Sequence, residues 1–460
     1  MHIMEKTKKA TITFLGGVRS ATGSHFLLES GTTKIAIDCG LFQGCKICGD
    51  KNREPFPYDP ASVDVLFVTH AHLDHIGRIP KLVKDGFSGT IYSTAPTKDI
   101  ADLMLIDSLG VLSKEAKSDK SSLIYTKEDV ERTMGLWRTV SYGEEIGIKG
   151  GFSVTLEDSG HILGSAMIEV VYSARKIVFT GDLGNSPSPL LHEGKPVFDA
   201  DYMVIESVYG DRNHKDGEER KYALERIIKE TTSKKGVLMI PAFSIERTQE
   251  LLFELGDLVE SKKIPPVPVF LDSPLAIHVT ALYKKYGKYF NEDVRHTMEK
   301  GDDIFKFPRL KFTLKTKESL AIKSVPNPKI IIAGSGMSNG GRIVRHEKLY
   351  LPDPNNTLLL VGYQAAGTPG REIQDGARTV NIAGDDVSVR ARVVTIEGYS
   401  AHKDSDALLE FVARATPSLK KVFVVQGEPK SALFFVQRIR DYLGIPAIAP
   451  EEGERVELEF

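Results

Sequence analysis

Short runs of alternating apolar residues predict strands over 11–15, 25–29 and 34–38, separated by glycine-rich turns. A second pattern then repeats. An apolar run ends abruptly on a polar residue capable of chemistry: 63–69 runs into His70, 176–180 into Asp182, and 202–205 into Glu206. Further on, 393–396 leads to His402 and 422–425 to Gln426. In layered α/β folds, sites collect at strand ends, because the sheet fixes positions while loops stay free to carry function. Five strand ends are therefore expected to feed one site.

Between about 208 and 389 the texture changes. Helical periodicity over 218–232 and 247–262 alternates with apolar runs at 237–240, 267–271, 329–333 and 357–361. That alternation predicts a parallel sheet with crossover helices, and so a second domain set into the first. The expected organisation is one domain split between 1–207 and 390–460, around an insert at 208–389. A length of 460 residues agrees, being too long for one ordinary core. There is no solenoid repeat and no low-complexity tract, and the two prolines within 264–267 mark a local turn.

Composition narrows the class. Hydrophobic residues make up 41% and charged residues 27%, near globular averages. No apolar run approaches the ~20 residues that cross a bilayer, which excludes a membrane protein of that kind. The first ten residues are charged and lack the apolar stretch of a secretory signal, so the expected compartment is the cytoplasm. A net charge of −2 exerts no strong pull on a polyanion, and any nucleic-acid contact must come from a local patch. Three cysteines, Cys39, Cys45 and Cys48, give no disulfide framework. Cys45 and Cys48 have the spacing of half a structural zinc site, but no second pair follows, so they are read as ordinary loop cysteines.

The chemistry concentrates in Thr69-His70-Ala71-His72-Leu73-Asp74-His75, three imidazoles and a carboxylate directly after an apolar run. Imidazole nitrogen and carboxylate oxygen are ligands zinc accepts, and catalytic zinc sites keep one position open for water. On a strand end, positions two apart point the same way, so His70 and His72 can share a metal. Asp74 and His75 then fall at the start of the next helix, placed for a second one. A capped polar helix start would explain one histidine there; it does not explain three. Two further donors stand between predicted strands: His161 among small residues in Ser159-Gly160-His161-Ile162-Leu163-Gly164-Ser165, and Asp182 in Thr180-Gly181-Asp182. Alone, each reads as a turn residue; beside the cluster, each reads as a ligand.

In this order the motifs resemble the metallo-β-lactamase fold, and within it the β-CASP nucleases that include the cleavage-and-polyadenylation endonuclease subunit and ribonuclease J. The resemblance spans nearly the whole chain. It begins with Gly16-Gly17-Val18-Arg19-Ser20-Ala21-Thr22-Gly23-Ser24 and Asp38-Cys39-Gly40-Leu41-Phe42-Gln43-Gly44, and passes through the histidine cluster, His161 and Asp182. It continues with Glu206-Ser207-Val208-Tyr209-Gly210, Pro241-Ala242-Phe243, Asp272-Ser273-Pro274-Leu275-Ala276, Ser335-Gly336-Met337 and Gly398-Tyr399-Ser400-Ala401-His402.

The resemblance implies an α/β fold: a metallo-β-lactamase αββα sandwich with an inserted α/β β-CASP domain, and an active site in the cleft between them. It implies two zinc ions, the first on His70, His72 and His161, the second on Asp74 and His75, with Asp182 bridging. Asp38 corresponds to an early aspartate that orients ligands without binding metal. His402 corresponds to a histidine that protonates the leaving oxygen, and Glu206 to the acid that orients it. Without the resemblance, His402 reads as a helix N-terminal residue before Asp404. The implied reaction is internal hydrolysis of RNA phosphodiester bonds, with cleavage from the 5′ end left open; single-stranded DNA is the less favoured substrate. Pairing with a second copy of the chain is left open.

One position departs from the pattern. RNA-processing members carry a late histidine that completes the second zinc site, whereas Gln426 stands there in Val424-Val425-Gln426-Gly427. An amide oxygen is a poorer zinc ligand than imidazole. That leaves a competing reading, an RNA-binding protein with weak or no catalysis. Its weakness is that all six remaining ligand positions are intact. A small-molecule hydrolase of the wider fold is the third reading, and the inserted domain argues against it.

Weaker signals concern RNA. Ser335, Gly336 and Met337 follow a strand and are expected to form an anion cradle. Arg247 and Thr248 open a helix after Pro241-Ala242-Phe243, where guanidinium and helix terminus together suit a phosphate. Arg342, Arg345 and Lys348 read equally well as a solvated helix face. His25, His192, His214, His278, His296 and His346 receive no role.

Overall fold

The early alternating runs form the strands Lys9–Gly16, His25–Ser30 and Thr33–Ile37, which pair antiparallel in sequence order. Val65–Phe67, Thr90–Ser93 and Trp137–Thr139 then extend the sheet in parallel, and Arg455–Glu459 closes its other edge. A second seven-stranded sheet runs Ala447–Ile448, Lys421–Val425, Tyr202–Glu206, Arg175–Phe179, Ala166–Tyr172, Phe152–Asp158, Glu145–Ile148. In this computed structural model the described residues are 9–44, 48–214, 217–365 and 367–460.

Period-two alternation decides which face each residue takes. Ile177, Phe179, Tyr202, Val204, Phe423 and Val425 point inward, to a shared core with Phe14, Phe26, Ile35, Ile37, Val65 and Phe67 of the first sheet. Their neighbours Val178, Met203, Ile205, Val422 and Val424 point outward, against Leu408, Phe411 and Val412 of helix Ser405–Ala415 and Phe435 and Val436 of helix Pro429–Arg438. Emptying one large core position, as in Phe423→Ala, is the kind of change that costs about 3–5 kcal/mol. Helices Ala95–Asp119 and Lys127–Leu136 flank the first sheet, which completes the αββα sandwich.

Parallel pairing places the chemistry. Thr33–Ile37 and Val65–Phe67 are parallel, so they deliver Asp38 and Thr69-His70 to one edge, where the Asp38 amide donates to the Phe67 carbonyl at 2.9 Å. In the second sheet, Arg175–Phe179, Tyr202–Glu206 and Lys421–Val425 are parallel neighbours, and they deliver Asp182, Glu206 and Gln426 together.

The chain divides into two compact units, Met1–Ser186 with Glu193–Asn213 and His402–Phe460, and Pro187–His192 with His214–Ala401. The second unit contains a six-stranded sheet whose neighbours are all parallel, in the order Leu310–Phe312, Val269–Leu271, Lys329–Ala333, Val237–Pro241, Thr357–Leu360, Arg392–Thr395. Arg392–Thr395 corrects an expectation. The run 393–396 was assigned to the C-terminal part of the split domain, and its end to the site. It is instead an edge strand of the second unit, so four of the five expected strand ends lie in the first unit, which resumes at His402.

Cys48 opens the short helix Cys48–Arg53 and is disulfide-bonded, not the ordinary loop cysteine expected; Cys45 lies outside the described residues. Most of the N-terminal segment read for a secretory signal also lies outside them. Among the described residues, no helix is long and apolar enough to cross a membrane.

Candidate metal centre

The local chain explains why the histidines converge. Thr69 follows the strand Val65–Phe67 and is locked by Asp38: its amide donates to Asp38 Oδ1 at 2.8 Å and its hydroxyl to Oδ2 at 2.9 Å. His70 and His72 then face the same way, with His70 Nε2 3.0 Å from His72 Nδ1. Asp74 and His75 fall in the helical turn Leu73–Ile76, as expected. A close approach holds that turn down. Gly40 lies so near it that an added Cβ would stand 1.6 Å from the Asp74 carbonyl oxygen.

His161 arrives from the second sheet, after the strand Phe152–Asp158. The Ser165 hydroxyl accepts from the His161 and Ile162 amides at 3.0 and 3.2 Å, which fixes the loop. His161 Nε2 stands 3.3 Å from His72 Nδ1, and Asp182 Oδ2 lies 3.4 Å from His70 Nε2 and 3.5 Å from His161 Nε2. One donor atom from each of His70, His72, His161 and Asp182 thus lies within 4.8 Å of the other three.

The chemistry of this donor set fits zinc. Burial, reinforced by the neighbouring imidazoles, holds His72 and His161 well below the ordinary histidine range, in the unprotonated form that coordinates metal. Burial alone would raise the Asp182 carboxyl, but His75 and His70 hold it well below its ordinary value. Three imidazole nitrogens and a carboxylate oxygen, largely out of water, form a set zinc accepts.

The second expected set, Asp74, His75 and Asp182, does not converge in the same way. His75 Nε2 is 3.3 Å from Asp182 Oδ1 and 3.9 Å from Asp74 Oδ2. The other group of described residues whose donor atoms all fall within 4.8 Å is Asp182, Glu206 and His402. Gln426 lies in the space between His75 and Asp182, its amide nitrogen 2.9 Å from His75 Nε2 and 2.9 Å from Asp182 Oδ1. Asp38 does not reach the metal cluster. Its Oδ2 meets His75 Nδ1 at 2.7 Å and so orients that ring.

His402 lies beside the cluster, its ring centroid 4.6 Å from that of His161. Its Nδ1 donates to the Glu206 carboxylate, 3.1 and 3.2 Å from the two oxygens, and Glu206 Oε1 also accepts from the Leu183 amide at 2.7 Å. Burial works to lower the His402 pKa, but Glu206, together with Asp182 and Asp74, lifts the group to about 9.

The residues expected to hold RNA behave differently. Arg247 is buried in an ion pair with Glu250, its guanidinium 5.3 Å from the centroid of the Tyr399 ring, and the Thr248 hydroxyl donates to the Phe243 carbonyl at 2.7 Å. Neither is presented as a phosphate hook. In the loop after Lys329–Ala333, the Ser335 hydroxyl donates to Asn339 Oδ1 at 2.6 Å, Gly336 packs against the Phe243 ring, and the Met337 carbonyl accepts from the Gly370 amide at 3.1 Å. These groups hold the loop's own shape. Nor is Arg342 a solvated residue, because it grips Asp272 at 2.8 Å together with two main-chain carbonyls.

Sequence reasoning passed over two residues near the centre. The Thr69 hydroxyl also meets Nδ1 of His70 and His75 at 3.0 and 3.2 Å; its place directly before the cluster was a usable signal. His25 supports Asp38 from behind, with Nδ1 2.5 Å from the Asp38 carbonyl oxygen and Nε2 2.6 Å from the Tyr58 hydroxyl. No short-range pattern marks it.

A two-sheet sandwich with a His/Asp cluster at the ends of its strands defines a metal-dependent hydrolase of the metallo-β-lactamase class. Family comparison agrees: a metallo-β-lactamase superfamily domain matches residues 27–195, a β-CASP domain 248–373, and a Zn-dependent metallo-hydrolase RNA specificity domain 386–450. The chain belongs to the β-CASP family of that superfamily. It is 37% identical to the Ribonuclease TTHA0252 of Thermus thermophilus, over 91% of this chain and 93% of that one. It is 34% identical to an RNase J-like protein of Methanocaldococcus jannaschii (96% and 98% covered), and 33% identical to the transcription termination factor FttA of Methanosarcina mazei (98% and 72%). A solved protein of unknown function from Enterococcus faecalis shares the fold at 13% identity, with a TM-score of 0.57 over 98% of this chain and all of that one.

Proposed function

We propose that this chain is a zinc-dependent ribonuclease that hydrolyses RNA phosphodiester bonds at the centre formed by His70, His72, His161 and Asp182. The observation that carries the reading is the convergence of those four donors beside the His402–Glu206 pair. Zinc held there supplies Lewis-acid chemistry, making water a competent nucleophile near neutral pH and offsetting phosphate charge. The chain's own residues do the rest. Asp38 and Thr69 fix the imidazoles in register, so little reorganisation accompanies the reaction. Glu206 keeps the His402 ring oriented and protonated, and His402 gives its proton to the departing oxygen. RNA as the substrate draws on the matched RNA specificity domain and on the ribonucleases among the relatives.

The test uses zinc-loaded protein, RNA labelled at either end, and single-stranded DNA of the same sequence. The expected result is cleavage of RNA that a chelator abolishes and added zinc restores, with internal fragments visible from both labels. Cleavage of DNA alone would refute the substrate. If zinc-loaded protein binds RNA but leaves it intact at every ratio, the binding reading prompted by Gln426 replaces the enzymatic one.

A further inference from the structure

The position of the Gln426 amide reaches past the family pattern. We propose that this chain works with one metal ion, the side-chain amide of Gln426 standing where a second cation would bind. The inference rests on the metal-centre reading above.

The geometry is that of a filled site. His75 Nε2 and Asp182 Oδ1 are 3.3 Å apart, a spacing that suits a shared cation. The Gln426 amide nitrogen is 2.9 Å from each, at hydrogen-bond distance. Zinc would have to lie about 2.0–2.2 Å from both atoms, so ion and amide contend for the same place. Hydrogen-bonding roles agree. Asp38 accepts from His75 Nδ1, which leaves Nε2 to accept one amide hydrogen, and Asp182 Oδ1 accepts the other.

The amide is also held in place. Gln426 is 2% exposed; its main-chain N–H donates to the Gly17 carbonyl, and its backbone takes a φ of 49°. Gly17 lies against its Cγ, close enough that an added Cβ there would come within 3.3 Å. A side chain so confined does not swing aside at little cost. Asp74, the third expected ligand, stands off from the pair, with its Oδ2 3.9 Å from His75 Nε2.

The consequence is mechanistic. Two-metal sites clamp both the attacking and the leaving oxygen. With the second position filled by an amide, the leaving side depends on the proton from His402.

The test is metal counting on the full chain. Protein is loaded with excess zinc, desalted and analysed for zinc per chain, then reloaded with Mn2+ and examined by electron paramagnetic resonance. The expected result is one zinc per chain and an isolated Mn2+ signal, with any second zinc binding at least about a hundredfold more weakly than the first. Gln426→His and Gln426→Glu supply a true ligand and are expected to bind two, with a spin-coupled Mn2+ pair. Two tightly bound ions in the natural chain overturn the inference, as does a count that stays at one in both folded variants. No bound metal in the natural chain overturns instead the metal-centre reading beneath it. If neither variant folds, the count in the natural chain still decides.

Discussion

Replacing His402 by alanine tests the proton-transfer role directly, and the structure fixes what should and should not change. The ring's partners are the two Glu206 oxygens at 3.1 and 3.2 Å, while its Nδ1 stands 4.0 Å from the metal-centre oxygen Asp182 Oδ2. His402→Ala should therefore leave zinc content intact while removing the proton donor. Positioned acids contribute about 10²–10⁴-fold, or about 3–5 kcal/mol of barrier. Glu206→Gln keeps a side chain of the same size beside the Leu183 amide but removes the charge that holds His402 protonated, so a smaller loss of about 10–100-fold is expected. Glu206 acts through His402, so the double variant should be no slower than His402→Ala alone. Stability shifts the other way. His402→Ala leaves Glu206 buried without its partner, which costs about 1–3 kcal/mol, and Glu206→Gln in that background should recover part of it. The assay is initial cleavage of end-labelled RNA with zinc per chain measured on the same samples. A His402→Ala rate within about threefold of the natural chain refutes the role; additive losses in the double variant refute the coupling.

Three further outcomes follow from buried contacts. Gly40→Ala would push a methyl group into the Asp74 carbonyl, so zinc affinity should fall by about tenfold or more in a competition titration; unchanged affinity would show that this turn does not set the ligands. Asp272 is fully buried and accepts from Thr313, Ser319, Arg342 and His346 at 2.7–2.8 Å, so Asp272→Ala should cost about 3–5 kcal/mol in urea unfolding, and a loss below about 1 kcal/mol would refute its role as a shared acceptor. Burial pushes the Glu347 carboxyl from 4.5 up to about 7, so between those values the folded state keeps a proton that the unfolded chain has released, and stability falls as pH rises, by about 3 kcal/mol in all. Glu347→Gln should flatten that fall in unfolding measured across the window; an unchanged slope would assign it to another group.

What could be read from the sequence was set by how many chain elements each feature needs. The His70–His75 cluster lies on one strand end and one helical turn, so spacing alone placed His70 and His72 face to face. Asp182 needed one step more, that its strand runs parallel to the next, and His161 needed the antiparallel order of the strands on either side of it; the motif order supplied both. Arg392–Thr395 failed because an apolar edge strand carries no label for its sheet, and pairing with Thr357–Leu360 is a tertiary choice. Arg247 failed for a related reason. A guanidinium opening a helix suits a phosphate, yet Glu250 one turn on claims it once that face is buried. His25 was missed because its partner, the Asp38 carbonyl, comes from a neighbouring strand's end. Gln426 is the instructive case. Its type was legible, and it suggested a weak ligand. The direction of its amide depends on the Gly17 carbonyl, the Asp38–His75 bond and the Asp182 carboxylate at once, and that direction turns a poor metal ligand into a hydrogen-bond donor filling the metal's place.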